Sequence, residues 1–338
     1  MAMDSKIAWT DHTFNPWRGC LKVAPECEHC YALDLSKRFG WRHGQWGTEA
    51  QGGTRILTAD AEWRKVRKLN ESSEQFIEQV GRRPLVFVAS LADVFEDWSG
   101  SIQDVNGSRL MIERDGDYIC SESRGGSFEN MRPLRMYDLR ARFFKLVDEC
   151  SGIDFQLLTK RPENVMKFWP TISQPDGSAI IQGHRANVWI GTSAGTQATA
   201  EKALPELVKC RSLAPVLFVS AEPLLESVDF SEWLFDPCGH CADFSPDPET
   251  GAIECSQCDG CGVSSDPAFD IDWIIGGAES GPERREFKPD WIADLANQAE
   301  FGEAAFFCKQ GSAMQPGQQG QIIDELWSIK NFPRGQHV

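Results

Sequence analysis

Three cysteines, Cys20, Cys27 and Cys30, fall at C-x6-C-x2-C spacing within residues 15–32. Two thiolates two residues apart can face the same metal ion, and a third on a loop containing Gly19 and Pro25 can swing in to join them. Three ligands leave one coordination position open. For zinc that is a catalytic site with water in the fourth place. For a cubane iron–sulfur cluster it leaves one iron free for a ligand that is not protein. Three unrelated buried thiols would be the plainer reading, but three within eleven positions favour metal.

A second cluster, Cys238-Gly-His-Cys241, is followed after thirteen residues by Cys255-Ser-Gln-Cys258 and then Cys261. Paired C-x2-C knuckles read as a zinc-ribbon-like insertion over 236–266, with Cys238, Cys241, Cys255 and Cys258 as ligands. A structural zinc holding a segment too small for its own core is the default role. Contact with nucleic acid or a partner is the minority reading, and the fifth thiol, Cys261, leaves a second iron–sulfur cluster open.

Composition sets the context for these thiols. No window is long and apolar enough to span a bilayer, and the N-terminal residues carry no apolar signal core, so no membrane association and a cytoplasmic location are expected. The cytosol keeps thiols reduced, and twelve cysteines there point to metal rather than a disulfide framework. A formal net charge of −16 argues against binding nucleic acid mainly through its phosphates. Local basic pockets remain open at Lys160-Arg161 and at Arg284-Arg285 with Lys288; Arg64, Lys65, Arg67 and Lys68 read as a solvated helix face.

The elements that must position these residues form a repeating pattern. Residues 7–10 read as a first strand leading into the cysteine loop, 41–58 as loop, and 59–80 as two helical pieces. Apolar runs then end in polar or glycine-rich clusters: 85–89 before Ser90-Leu-Ala-Asp93, 155–158 before Thr159-Lys-Arg-Pro162, and 188–190 before Gly191-Thr-Ser193. The same holds for 216–219 before Ser220-Ala-Glu-Pro223, 271–275 before Gly276-Gly-Ala-Glu279, and 304–308 before Lys309-Gln-Gly311. Helical patterns separate the runs at 136–150, 198–210 and 289–301. Near-continuous apolar strands alternating with helices predict a parallel sheet covered on both faces. About seven strands fit an α/β fold of one domain over 1–338, a partial or complete β/α (TIM-like) barrel with its site at the C-terminal strand ends. Residues 99–132 break the rhythm, and Asp115-Gly116 inside an alternating run signals a β-hairpin insertion.

Taken together, Trp9-Thr10, Asn15-Pro16, Gly19-Cys20, Cys27-x2-Cys30-Tyr31-Ala32, Leu158-Thr-Lys-Arg-Pro162, Ser220-Ala-Glu-Pro-Leu-Leu225, Asp272-Trp-Ile-Ile-Gly-Gly277 and Phe306-Phe-Cys-Lys-Gln310 resemble the phage and prophage three-Cys-motif proteins. The resemblance spans about residues 6–333. That family is poorly characterised. Its cysteine loop after the first strand is similar to the layout of radical S-adenosylmethionine enzymes, the spore photoproduct lyase group included, whose loop spacing is C-x3-C-x2-C. This chain departs from its relatives at Thr192-Ser-Ala-Gly-Thr-Gln197, and Ala278 interrupts the usual Gly-Gly-Glu-Ser-Gly run.

The resemblance implies a phage-type iron–sulfur enzyme of radical-SAM-like chemistry, acting in the host cytoplasm. Cys20, Cys27 and Cys30 would hold a 4Fe-4S cluster that binds S-adenosylmethionine. Ser90, Asp93, Gly276, Gly277 and Glu279 would bind the cofactor, while Lys160, Arg161, Glu222 and Lys309 would be catalytic and face the substrate. Lysine and arginine at the site suit an anionic group such as a nucleotide phosphate. An electron donor is implied as a partner. A second reading closes a zinc site with His12 or His29, giving a zinc-stabilised, nucleic-acid-associated or partner-binding protein without radical chemistry. A third makes the barrel a binding module for a protein partner encoded nearby.

Overall fold

In the computed structural model, the described residues are 4–40, 46–124, 128–173, 179–234 and 270–333. They form two compact units, one of residues 4–193 with 212–215, the other of 194–211 with 216–333.

The first unit is organised on four strands, β1 (His12–Phe14), β2 (Leu85–Val88), β3 (Asp154–Thr159) and β4 (Val188–Ser193), paired in parallel in that order. The sequence Leu-Val-Phe-Val of β2 is buried at every position, as a parallel strand covered on both faces requires. Its registers align Phe14 with Val88, and Val88 with Leu157. Among the helices that accompany these strands are α1 (Tyr31–Arg38), α2 (Asp60–Glu71), α3 (Ser73–Val80) and α4 (Met136–Glu149). α4 buries Met136, Leu139, Arg140, Phe143, Leu146 and Val147, the three- and four-residue spacing of one helix face. Its first turn is closed by Asp138, which accepts from the Arg135 N–H at 2.9 Å. Phe143 meets Phe155 of β3 edge-on, and Trp63 of α2 meets Phe14 of β1 likewise, at centroid distances of 6.2 and 5.2 Å. Gly152 permits the turn after α4, because a Cβ there would lie 2.2 Å from Ser73 Oγ.

The second unit carries β5 (Val216–Ala221), β6 (Trp273–Gly277) and β7 (Ala305–Gln310), also parallel and paired in sequence order. β5 and β6 are buried throughout. Trp273 is the aromatic centre, with Phe218 and Phe307 at 5.6 and 6.2 Å. Helix α5 (Gln197–Val208) starts on Thr196, whose hydroxyl accepts from Thr199 N–H, and α6 (Pro289–Phe301) starts on a proline, which loses nothing at the first helical position.

The protein is therefore a mixed α/β chain with parallel strands flanked by helices, compatible with a partial β/α barrel. Two local expectations are corrected. Residues 7–10 form a turn, closed by the Thr10 N–H on the Ile7 carbonyl, so the first strand begins later, at His12. Residues 41–58 are not all loop: Arg55–Leu57 is a buried strand pairing with Trp17–Arg18 and with Ile102–Gln103. Around Asp115-Gly116, Leu110–Glu113 and Ile119–Ser121 pair antiparallel, with Met131–Pro133 added on the other side of Leu110–Glu113. The residues 236–266 proposed as a zinc ribbon, with Cys238, Cys241, Cys255, Cys258 and Cys261, lie outside the described residues. Among the described residues no helix is long and apolar enough to cross a membrane.

Candidate functional site

In the first unit the cysteine loop leaves the C-terminal end of β1 and is fastened to the end of β2. Asn15 accepts from the Leu91 N–H at 2.7 Å and donates to Ser90 Oγ at 3.0 Å. Gly19 donates its N–H to the Leu91 carbonyl, at a φ of +106° and so close to Thr54 that a Cβ would lie 2.3 Å from its carbonyl oxygen. Only glycine fits there. Cys27 closes a 3-10 turn, Pro25–Cys27, Cys30 precedes α1, and the next residue, Tyr31, donates its hydroxyl to the Ser90 carbonyl at 2.8 Å. Ser90 thus braces the loop from below. Its neighbour Ala89 has a φ of +61°, a left-handed conformation that is rare for a residue with a side chain and marks backbone strain at the strand end.

The ends of β2 and β3 meet in a buried network of charge. Asp93 accepts from Thr159 Oγ1 at 2.8 Å, Arg161 Nη1 at 2.7 Å, and the N–H groups of Phe95 and Lys160 at 2.9 and 3.3 Å. Glu96 accepts from Arg55 Nε and Nη2 at 2.6 and 2.7 Å, and from Arg161 Nη2 at 3.5 Å. Arg55 lies over the Trp98 ring at 4.0 Å. Arg161 extends the network into the cysteine loop, reaching the Leu21 carbonyl at 2.8 Å and Cys20 Sγ at 3.8 Å. Burial opposes its charge, but Asp93, Cys20 and Glu96 outweigh that and hold its guanidinium above the ordinary arginine range. Burial, followed by the charges of Glu96 and Asp93, pushes the Cys20 thiol up to about 12, with Arg161 opposing.

Lys160, the neighbour of Arg161, behaves differently. Its ammonium donates to Ser193 Oγ at 3.0 Å, at the end of β4, and among the described residues it has no carboxylate partner. An ammonium so placed keeps donors for an anion.

In the second unit, Glu222 follows β5 and pairs with Lys309 of β7. The β6–β7 register slips between Gly276 and Gly277, so that Cys308 and Gln310 align and Lys309 falls in a bulge, a device that re-aims a side chain. A Cβ on Gly277 would come within 3.5 Å of Glu222, placing this glycine beside the pair, whereas one on Gly276 would lie 3.0 Å from Ile292 and 3.2 Å from Phe306, in the packing between β6, α6 and β7. Glu279 is closed by Arg285, which donates from its backbone N–H, Nε and Nη2 at 2.8, 3.1 and 2.8 Å.

The sequence-derived residues therefore divide by role. Lys160 meets Ser193 and has no carboxylate partner among the described residues. Asp93, Arg161 and Glu279 are engaged internally, so a cofactor would not find them free, and Gly276 is a packing glycine. Ser90 supports the loop through both its hydroxyl and its carbonyl. Arg55 and Glu96 were missed; the available signal was a charge inside an apolar run, in Arg55-Ile-Leu57 and Val94-Phe-Glu96.

The cysteine loop suits a thiolate-ligated group in type, since Cys20, Cys27 and Cys30 are all free thiols, partly accessible, with a cation against the first. They are not gathered as a ligand set: among the described residues no three His, Cys, Asp or Glu side chains stand where they could hold a metal ion. His12 is buried in β1, where its Nδ1 accepts from the Asp4 N–H at 3.2 Å and burial lowers its basicity.

A family model described as a protein of unknown function (DUF5131) matches residues 4–105 and 119–327. No curated protein and no solved structure matches the chain.

Proposed function

Given that the chain belongs to the DUF5131 family of proteins of unknown function, we propose that it is a phage-type iron–sulfur enzyme of radical-SAM-like chemistry, built on a β/α barrel and working in the cytoplasm. The observation that supports this reading is the position of the cysteine loop. It leaves the end of the first parallel strand and is tied by Asn15, Tyr31 and Arg161 to the ends of the next two. In β/α proteins those ends are where reactive sites are assembled. Cys20, Cys27 and Cys30 would hold a 4Fe-4S cluster, with S-adenosylmethionine on its open iron. The bound group would supply reductive cleavage of the sulfonium and, through it, hydrogen abstraction.

The remaining work belongs to the chain. Lys160 and Ser193 orient an anionic substrate group, such as a nucleotide phosphate, through an ammonium and a hydroxyl. In the second unit Glu222 and Lys309 form a carboxylate–ammonium pair of their own, proposed as catalytic. An electron donor is required as a partner, and the cysteines of 236–266 would hold a structural zinc.

The test is anaerobic reconstitution of the wild type and of a Cys27→Ala, Cys30→Ala double variant with iron and sulfide, then reduction with S-adenosylmethionine. Iron uptake and deoxyadenosine formation in the wild type, both lost in the variant, are expected. Stoichiometric zinc bound through this loop, with neither iron uptake nor cleavage, overturns the proposal and leaves a zinc-stabilised barrel whose role is binding a partner.

A further inference from the structure

We infer that Arg161 is the positioning residue of the cysteine loop, a clamp that holds its first cysteine against the ends of β2 and β3. The inference deepens the reading of the loop as a ligand loop and rests on it for its purpose. Its geometric basis is separate. Arg161 is nearly buried, with 8% of its side chain exposed, and its two terminal nitrogens are divided between two tasks. On one side they bind Asp93 at 2.7 Å and Glu96 at 3.5 Å, groups fixed in turn by Thr159 and Arg55. On the other they reach the Leu21 carbonyl at 2.8 Å and Cys20 Sγ at 3.8 Å.

A simple ion pair would need only the first side. The second joins a residue at the end of β3 to a loop about 140 positions earlier in the chain. Beyond Arg161, the backbone of this limb is held by Gly19 N–H on the Leu91 carbonyl and by Gly47 N–H on the Cys20 carbonyl. Neither bond reaches the Cys20 side chain. A planar fork can serve both sides at once, whereas a lysine ammonium can keep the carboxylate but not also hold the loop. Arg161 is thus not a substrate contact. It sets where the Cys20 sulfur sits when Cys27 and Cys30 close around a ligand.

The test uses the metal-free, reduced full chain and follows alkylation of each cysteine by iodoacetamide with peptide mass spectrometry, in the wild type, R161K and R161Q. Loss of the cation by itself disfavours the Cys20 thiolate, so release of the clamp is read as a Cys20 rate raised at least about tenfold through exposure of the freed sulfur, while Cys27 and Cys30 change by less than about twofold. Cys150, Cys210 and Cys308, all buried, report on the fold and stay protected. An unchanged Cys20 rate in a variant whose three buried thiols remain protected overturns the inference. Exposure of Cys150 in R161K also overturns it, because Arg161 would then hold the fold and not the loop. Iron titration supplies the second readout, with an expected loss of about tenfold in affinity in R161K. If the wild type takes up no iron, the functional proposal fails while the alkylation result still decides the clamp.

Discussion

Replacing Arg55 by methionine tests the charged network that anchors the site. The Arg55 side chain is wholly buried, with 0% exposed, and its partner Glu96 has 4% exposed. Two short hydrogen bonds, 2.6 and 2.7 Å, join the guanidinium to the two carboxylate oxygens. In R55M the Glu96 carboxylate stays in the interior with Arg161 at 3.5 Å and Arg140 close by, its Nη1 donating to the Glu96 carbonyl at 3.1 Å. Removing one partner of a buried pair costs about 3–5 kcal/mol. The remaining contact to Arg161, and the aliphatic packing that methionine keeps against Trp98, put the expected loss at the lower end, about 3 kcal/mol. At about 2–4 °C per kcal/mol, the melting midpoint falls by roughly 6–12 °C, measured by circular dichroism. The double variant R55M/E96L removes the orphaned charge as well and recovers most of that loss, because an apolar pair of similar volume is close to neutral. A loss in R55M below about 1 kcal/mol, or a double variant less stable than R55M, refutes the reasoning, since either would mean that Glu96 is not desolvated.

Two further outcomes follow from the geometry. Burial pushes the Asp154 carboxyl up to about 6 despite Arg83 at 3.3 Å, so the folded chain holds a proton there that the unfolded chain releases near 3.8. Its contribution is therefore complete below the unfolded value and is lost as pH rises through about 6, at a slope of up to about 1.4 kcal/mol per pH unit. D154N removes that slope, which urea midpoints taken across this range check directly; a slope identical to wild type refutes the assignment. The two glycines of β6 should separate in the same assay. G276A drives a methyl into Ile292 and Phe306 and costs about 1–3 kcal/mol, while G277A makes only ordinary contact with Glu222 and Gln310 and costs less than about 1 kcal/mol. Equal losses would show that Gly277 is packed as tightly as Gly276.

Local pattern and long-range contact contributed differently to this protein. The sequence by itself located the near-continuous apolar strands, because runs such as Leu85-Val-Phe-Val88 suit a parallel sheet covered on both faces, but it misplaced the first strand and missed Arg55–Leu57. It located the hairpin, because the alternating residues either side of Asp115-Gly116 pair antiparallel as Leu110–Glu113 and Ile119–Ser121, although the connection is longer than a two-residue turn. It also determined which residues stand at the strand ends, since each polar cluster follows its apolar run directly. Such signals are carried by neighbours in the chain.

Only the tertiary structure decided which of those residues are free. Lys160 and Arg161 are adjacent and look alike as charges, yet one meets a serine hydroxyl and the other is consumed by two carboxylates and the cysteine loop. Arg55 and Glu96 are 41 positions apart; an apolar run around each hints at burial, but neither reveals from its neighbours which residue it pairs with. Whether a charge is solvated or desolvated depends on what the fold places against it, and those partners lie far away in the sequence. The left-handed Ala89 is of the same kind, a conformation imposed by the contacts around a strand end and invisible in the residue itself.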